Sequence, residues 1–313
     1  MSGFCKSLTD HGFTPCPPRR GLPAVRLRHR VPDVRCVGPF ALAALLLAAA
    51  GAAADDARPE PELDAPSPAA TAGEPAPVPT AGGQPAVGRP WRNSMGMEFV
   101  PISTTTVLFC TWETRVQDYA AFARREGRKW LKPTFEQGPT HPAVNVTWDD
   151  ANAFCRWLTE REQQVGFLPP GHRYRLPTDL EWSAAVGLGA ETGDTPHERD
   201  GGIKGVYPWV GPWPPPSGAG NYAPSRGVDP HEYTAPVGSY PANPYGIFDL
   251  GGNVAEWCEE VYVRGTGDRT LRGGSWFHST PWHLASSGRD KGGEKFSDIR
   301  VGFRVVLEFP AVP

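Results

Sequence analysis

The chain has 313 residues, including 36 Gly and 36 Pro, with Lys+Arg 31 against Asp+Glu 34 and a net charge of −3. No basic stripe lies beyond the N-terminus, which speaks against nucleic acid as a partner. The length admits one large domain or two small ones, and the uneven spread of residue types favours one domain behind a long leader.

Residues 1–36 are rich in Arg and Pro, and an apolar run from Val37 to Ala54 ends in small residues before Asp55 and Asp56. Basic, apolar and small in that order is the layout of a secretory signal. Residues 1–54 are therefore expected to be a signal peptide or, if uncleaved, an N-terminal anchor, the one route to a membrane that the sequence offers. The expected location is periplasmic, secreted or cell-surface. Residues 55–90 are Pro, Ala, Glu and Thr with almost no large apolar side chain, so they cannot bury enough surface to offset the entropy of ordering. They are predicted to be a disordered linker, with the folded domain at 91–313.

From Trp91 the composition turns aromatic and β-branched. Residues 98–102 and 105–112 are predicted strands. Thr114-x-x-Gln117 has the form of a capping box opening a helix that Gly127 stops. Thr147-x-x-Asp150 opens a second, with Ala151, Phe154, Cys155 and Leu158 on one face, and Thr178-x-x-Glu181 opens a short third that Gly187 closes. Residues 190–245 sustain no period, and loops this long in a compact domain are usually functional or held by something other than ladders. Residues 269–272 and 300–307 are predicted strands, the second apolar enough to be central.

The stretch from Pro244 to Trp257 interleaves apolar residues with Asp249 and Glu256 and with Gly251, Gly252 and Asn253, types that tolerate φ > 0. It is expected to turn sharply while staying buried. Two readings stand side by side: Asp249 and Glu256 cap nearby amides, or the two carboxylates and intervening carbonyls hold a hard cation, for which calcium is the natural candidate. The six cysteines are Cys5, Cys16, Cys36, Cys110, Cys155 and Cys258, and without a Cys-x-x-Cys pair they exclude a zinc ribbon or thioredoxin-like motif. Hydrolase-elbow, His-Glu-x-x-His and Walker motifs are also absent from the sequence.

Ordered blocks across residues 91–313 carry a resemblance. They include Asn93-Ser-Met-Gly-Met-Glu-Phe99, His141-Pro-Ala-Val-Asn-Val-Thr-Trp148, Tyr174-Arg-Leu-Pro-Thr-Asp-Leu-Glu-Trp182, Tyr245 to Trp257, Leu271-Arg-Gly-Gly-Ser-Trp276 and Val301-Gly-Phe-Arg304. The chain resembles the formylglycine-generating enzyme (sulfatase-modifying factor) family, whose fold is a variant of the C-type lectin type. The resemblance implies an α+β, loop-rich fold with short helices and small antiparallel sheets. It also implies two calcium sites. One would take the Asn221 side chain, the Tyr222 carbonyl, the Asp229 side chain and the His231 carbonyl. The other would take the Asp249 side chain, the Gly252 and Val254 carbonyls and the Glu256 side chain.

Members of that family oxidise a sulfatase cysteine to formylglycine, using oxygen and a copper ion held by two cysteines just after the Arg-Gly-Gly-Ser-Trp block. Here the matching positions are His278 and His283, and Ala255 stands where members commonly carry tryptophan. Thiolates are the soft ligands that select Cu(I), so copper is not expected, and two imidazoles alone make a weak metal site. The expectation is a non-oxidising, calcium-stabilised module whose groove (Ser275, Trp276, His278, Trp282, His283, Arg289) holds a peptide, glycan or protein. The alternative is an oxidase that acts on a sulfatase or another protein.

Overall fold

A computed structural model describes residues 83–311. The expected signal or anchor at 1–54 and the linker up to residue 82 lie outside those residues. The first strand starts where the composition changes: β1 (Trp91–Arg92) pairs antiparallel with β2 (Glu98–Pro101), which pairs with β3 (Leu108–Cys110).

Helix α1 (Val116–Arg125) begins one residue later than the Thr114 box suggests. Asp118 is the reason: its carboxylate accepts the Arg115 N–H at 3.1 Å and the Arg115 Nε at 2.8 Å, and Thr114 N–H is drawn off to the Phe303 carbonyl. Helix α2 (Trp148–Gln164) starts at Thr147, whose Oγ1 accepts the Asp150 N–H, and it buries Ala151, Phe154, Cys155 and Leu158, the predicted face. After β4 (Arg173–Arg175), α3 (Asp179–Ala185) opens with the predicted Thr178/Glu181 box. A one-turn helix, α4 (Pro196–Arg199), capped by Thr195, breaks the stretch expected to be irregular throughout. The rest of that stretch is turns and loops apart from a 3-10 turn at Pro224–Arg226.

The C-terminal part supplies β5 (Ala255–Val261), β6 (Asp268–Arg272), β7 (Arg289–Gly293), β8 (Val301–Gly302) and β9 (Val306–Glu308). One sheet has the order β1-β2-β3-β9-β4, and the other has the order β7-β6-β5-β8, with β5 and β8 parallel. The single strand expected over 300–307 is therefore two strands in two sheets. The break falls at Arg304, which is fully buried and turned to pair with Glu256, while the Phe303 and Val305 carbonyls accept from Thr114 and Cys110. The main core gathers Phe99, Tyr119, Phe122, Phe154, Trp257 and Phe303 between the sheets and the α1/α2 pair. Short helices, small sheets that are antiparallel apart from the β5/β8 pair, and long loops make this the α+β, C-type lectin-like fold.

Candidate functional site

The sharp turn before β5 needs left-handed backbone at Asp249 (φ 58), Gly252 (φ 83) and Asn253 (φ 52). At Gly252 a Cβ would lie 2.2 Å from the Asn221 carbonyl oxygen, so the loop containing Asn221 and the turn can meet only across a glycine. Behind the turn lie three buried carboxylates, Glu113, Asp249 and Glu256. Glu256 accepts from Arg304 Nη2 at 2.7 Å and from Trp182 Nε1 at 3.0 Å. Asp249 accepts the Gly238 N–H at 2.7 Å. Glu113 accepts the Val254 N–H and the Asn253 amide.

Among the described residues Arg304 is the one guanidinium paired within this cluster, so negative charge is in excess. Burial pushes the Asp249 carboxyl up to about 6, with Glu256 adding to the rise. Burial, then Asp249 and Glu256, push Glu113 well above the usual carboxylate range.

The neighbouring loop turns about Asp229, whose two oxygens accept the Tyr222 N–H at 3.0 Å and the His231 N–H at 2.9 Å. Asn221 is 1% exposed and its Nδ2 is used by the Tyr233 carbonyl and Asn253, yet its Oδ1 is buried without a protein partner, as is the Tyr222 hydroxyl. An orphaned amide oxygen beside a carboxylate is what a hard cation would satisfy. The residues named for the Asn221–His231 site thus fit the ion by donor type, whereas at the turn Glu256 already accepts from Arg304 and Trp182 and Asp249 carries the excess charge. Among the described residues no three His, Cys, Asp or Glu side chains converge as a metal set, so a cation here would draw on carbonyl and amide oxygens as well.

The histidine crevice follows β6. Gly274 (φ 69) lets the chain fold back, since a Cβ there would lie 2.8 Å from Leu284 and 2.9 Å from the His283 carbonyl. His278 Nδ1 accepts the Ser275 N–H at 3.0 Å, leaving Nε2 as the protonated nitrogen of the neutral ring. His283 Nδ1 contacts Thr280 Oγ1. The two rings stack with centroids 4.3 Å apart and planes at 30°. Burial, then His283, lowers His278 to about 4, and burial lowers His283. Lone pairs lie in the ring planes, so stacked imidazoles aim past each other rather than at a shared ion.

Among the described residues the thiols offer no substitute for the missing copper cysteines. Cys110, Cys155 and Cys258 are buried and unpaired, and burial raises each. This donor set does not fit a Cu(I) dithiolate centre.

The six expected groove residues separate. His278, His283 and Arg289 line a cleft of only about 20 Å³, whereas Trp282, 57% exposed, walls an adjoining groove of about 360 Å³ together with Tyr207, Ile203, Pro281, Ala285 and Lys204. Trp276 is buried against Phe135 and Tyr233, and Ser275 is fully buried. The Arg289 guanidinium is not free for a ligand, because it is locked between Asp179 (3.0 Å) and Glu191 (2.7 Å). Glu113, Asn253 and Tyr207 were missed as site residues. A carboxylate among the apolar and β-branched residues of 107–116 was the available hint for Glu113.

A C-type lectin-like scaffold with an acidic turn and a crevice after Arg-Gly-Gly-Ser-Trp defines a sulfatase-modifying-factor type of domain. A family model described as the sulfatase-modifying factor enzyme 1-like domain matches residues 71–309, and the chain belongs to that family. It is 34% identical over 148 residues to the inactive C-alpha-formylglycine-generating enzyme 2 of Bos taurus, over 43% of this chain and 38% of that protein. It is also 33% identical over 177 residues to the formylglycine-generating enzyme of Streptomyces coelicolor, over 48% of each. The chain thus spans less than half the length of these relatives. The structure of PvdO from Pseudomonas aeruginosa superimposes with a TM-score of 0.55 at 19% identity, covering 72% of this chain and all of that one, which speaks to the fold alone.

Proposed function

We propose that the chain is an exported, non-oxidising binding module, stabilised by calcium at the Asn221–His231 loop and the Asp249–Glu256 turn. Its groove beside the histidine pair would take a peptide segment of a protein partner. The observation that carries this reading is the stacked, neutral His278/His283 pair at the positions where the family's copper thiolates belong. A dithiolate Cu(I) centre is tight and oxygen-reactive, whereas these imidazoles offer no sulfur to share a redox step. Similarity to one relative named a formylglycine-generating enzyme and another named an inactive one is compatible with either outcome, so the reading rests on the site residues.

A peptide is favoured over a glycan by the rim. Trp282, 57% exposed, and Val206, 38% exposed, present apolar surface beside Tyr207, and Phe277, 56% exposed, stands next to His278; aromatic anchors of this kind dominate protein recognition. The export reading is supported by the order of residue types in 1–54. Among the described residues no helix is long and apolar enough to cross a membrane.

The test is incubation of the copper-loaded protein with a cysteine-containing sulfatase-derived peptide, followed by mass spectrometry. The expected result is an unchanged thiol. Conversion of the thiol to an aldehyde, abolished by His278→Ala, would overturn the reading in favour of an oxidase. The double substitution His278→Cys with His283→Cys is expected to restore copper binding without turnover, because Ala255 and the groove differ as well.

A further inference from the structure

Asn253 is fully buried, holds a left-handed backbone, and has every polar atom committed. Its Oδ1 accepts from Asn221 Nδ2 at 3.1 Å and from the Ala235 N–H at 2.9 Å. Its Nδ2 donates to Glu113 Oε2 at 2.6 Å. Its N–H donates to the Asn221 carbonyl at 2.8 Å, and its carbonyl accepts the Trp276 N–H at 2.9 Å. One residue thereby touches the cation loop, the buried acidic cluster and the start of the crevice. A second, shorter link runs beside it, where the Ala223 N–H donates to the His278 carbonyl at 3.1 Å.

We propose that Asn253 is a positioning residue that relays cation occupancy of the Asn221–His231 loop to the His278/His283 crevice. The proposal rests on the calcium reading above. An amide has one oxygen face and one nitrogen face, and the relay follows from that asymmetry. A cation that takes Asn221 Oδ1 forces Asn221 Nδ2 to point at Asn253 Oδ1. Asn253 must then present Nδ2 to Glu113, whose other oxygen accepts the Val254 N–H at 3.1 Å beside the second cation turn. With the ring of donors and acceptors closed, the Asn253 carbonyl is fixed, and with it the Trp276 N–H and the turn that carries Ser275 and His278. Without the cation the Tyr233 carbonyl still holds Asn221 Nδ2, but Asn221 Oδ1 is left buried with no partner, so the loop is no longer pinned on that side and the crevice loses its reference point.

The test uses the full chain and calcium alone, followed by calorimetry and by the ring resonances of His278 and His283, each assigned from its Gln variant. In the wild type, saturating calcium is expected to shift both ring signals. Asn253→Gly keeps the left-handed backbone but deletes the relay, and is expected to weaken calcium about tenfold, within the range of ordinary coupling energies. It should also lose most of the histidine shift. Ala223→Pro removes the N–H to the His278 carbonyl, at a residue whose φ of −54 suits proline, and should reduce the shift. Calcium heat with unmoved histidine signals in the wild type, or a full shift retained in Asn253→Gly, would overturn the relay alone. No calcium heat in the wild type would overturn the cation reading, and the relay with it.

Discussion

Two buried charge clusters lie on either side of Trp182, and they are built on opposite balances. On one side Asp179, at the start of α3, accepts from Arg199, Arg272 and Arg289, and Glu191 completes the set on Arg289. Burial alone would raise the Asp179 carboxyl, but Arg272, Arg289 and Arg199 together hold it at about 2. The Arg272 guanidinium also lies 4.3 Å over the Trp182 ring. On the other side the Trp182 indole N–H serves Glu256, where Glu113, Asp249 and Glu256 share the single guanidinium of Arg304. The first cluster sets three guanidiniums against two carboxylates, so each carboxylate is paired. The second is short of positive charge, and burial raises the Asp249 and Glu113 carboxyls instead of letting them fall. A buried charge is paired, neutralised by a proton or bound to a metal, so the first is permanent scaffold and the second is where the proposed cation would act.

The largest effect should come from breaking the self-sufficient side. Asp179→Asn leaves three buried guanidiniums without their shared carboxylate and is expected to cost about 3–5 kcal/mol, read by denaturant unfolding. That loss should be the same with calcium or with chelator, because the cluster needs no ion. Calcium rescue of Asp179→Asn would erase the contrast between the two sides.

Chelation should do what mutation does on the acidic side. Removing calcium from a protein held at a hundredfold excess over its Kd is expected to cost about 3 kcal/mol and to lower the Tm accordingly. Glu256→Gln should reproduce the part of that loss that belongs to the Asp249–Glu256 turn and leave only the Asn221–His231 loop sensitive to chelator. A melting curve unchanged by excess chelator would return Asp249 and Glu256 to a purely hydrogen-bonding role.

A smaller effect concerns acid. His278 is lowered from 6.5 to about 4 by burial and by His283. The unfolded chain therefore binds a proton more readily than the folded one between those pH values. The stability held in the neutral ring is complete above pH 6.5 and is lost as pH falls toward 4, on the order of 2 kcal/mol after allowing for its partial exposure. His278→Gln should reduce the rise of unfolding free energy with pH across that window, with the residual slope belonging to His283 and to the raised Asp249 and Glu113 carboxyls. A wild-type slope that survives His278→Gln unchanged would show that the ring titrates normally.

Much of this was legible in the sequence because it is local. The Thr147 and Thr178 caps, the buried face of α2 and the glycine-permitted turn at 252–253 follow from residue types a few positions apart. What was not legible depends on partners far away in the chain. Arg304 breaks an apolar run because Glu256, 48 residues earlier, claims it, and no periodicity records that pairing. Arg289 looked like a recognition residue because an isolated Arg near a groove has that chemistry, but Asp179, 110 residues earlier, takes it out of the surface. Asn253 looked like turn punctuation, and only the convergence of Asn221, Glu113 and Trp276 on it reveals a junction.

The central claim is a cation-completed scaffold carrying a crevice that has given up copper, and elemental analysis of the purified full chain tests it most directly. After exposure to calcium and copper together and removal of loose ions, two calcium ions per chain and no stoichiometric copper are predicted. One copper per chain, lost on His278→Ala or His283→Ala, with no calcium retained, would contradict it.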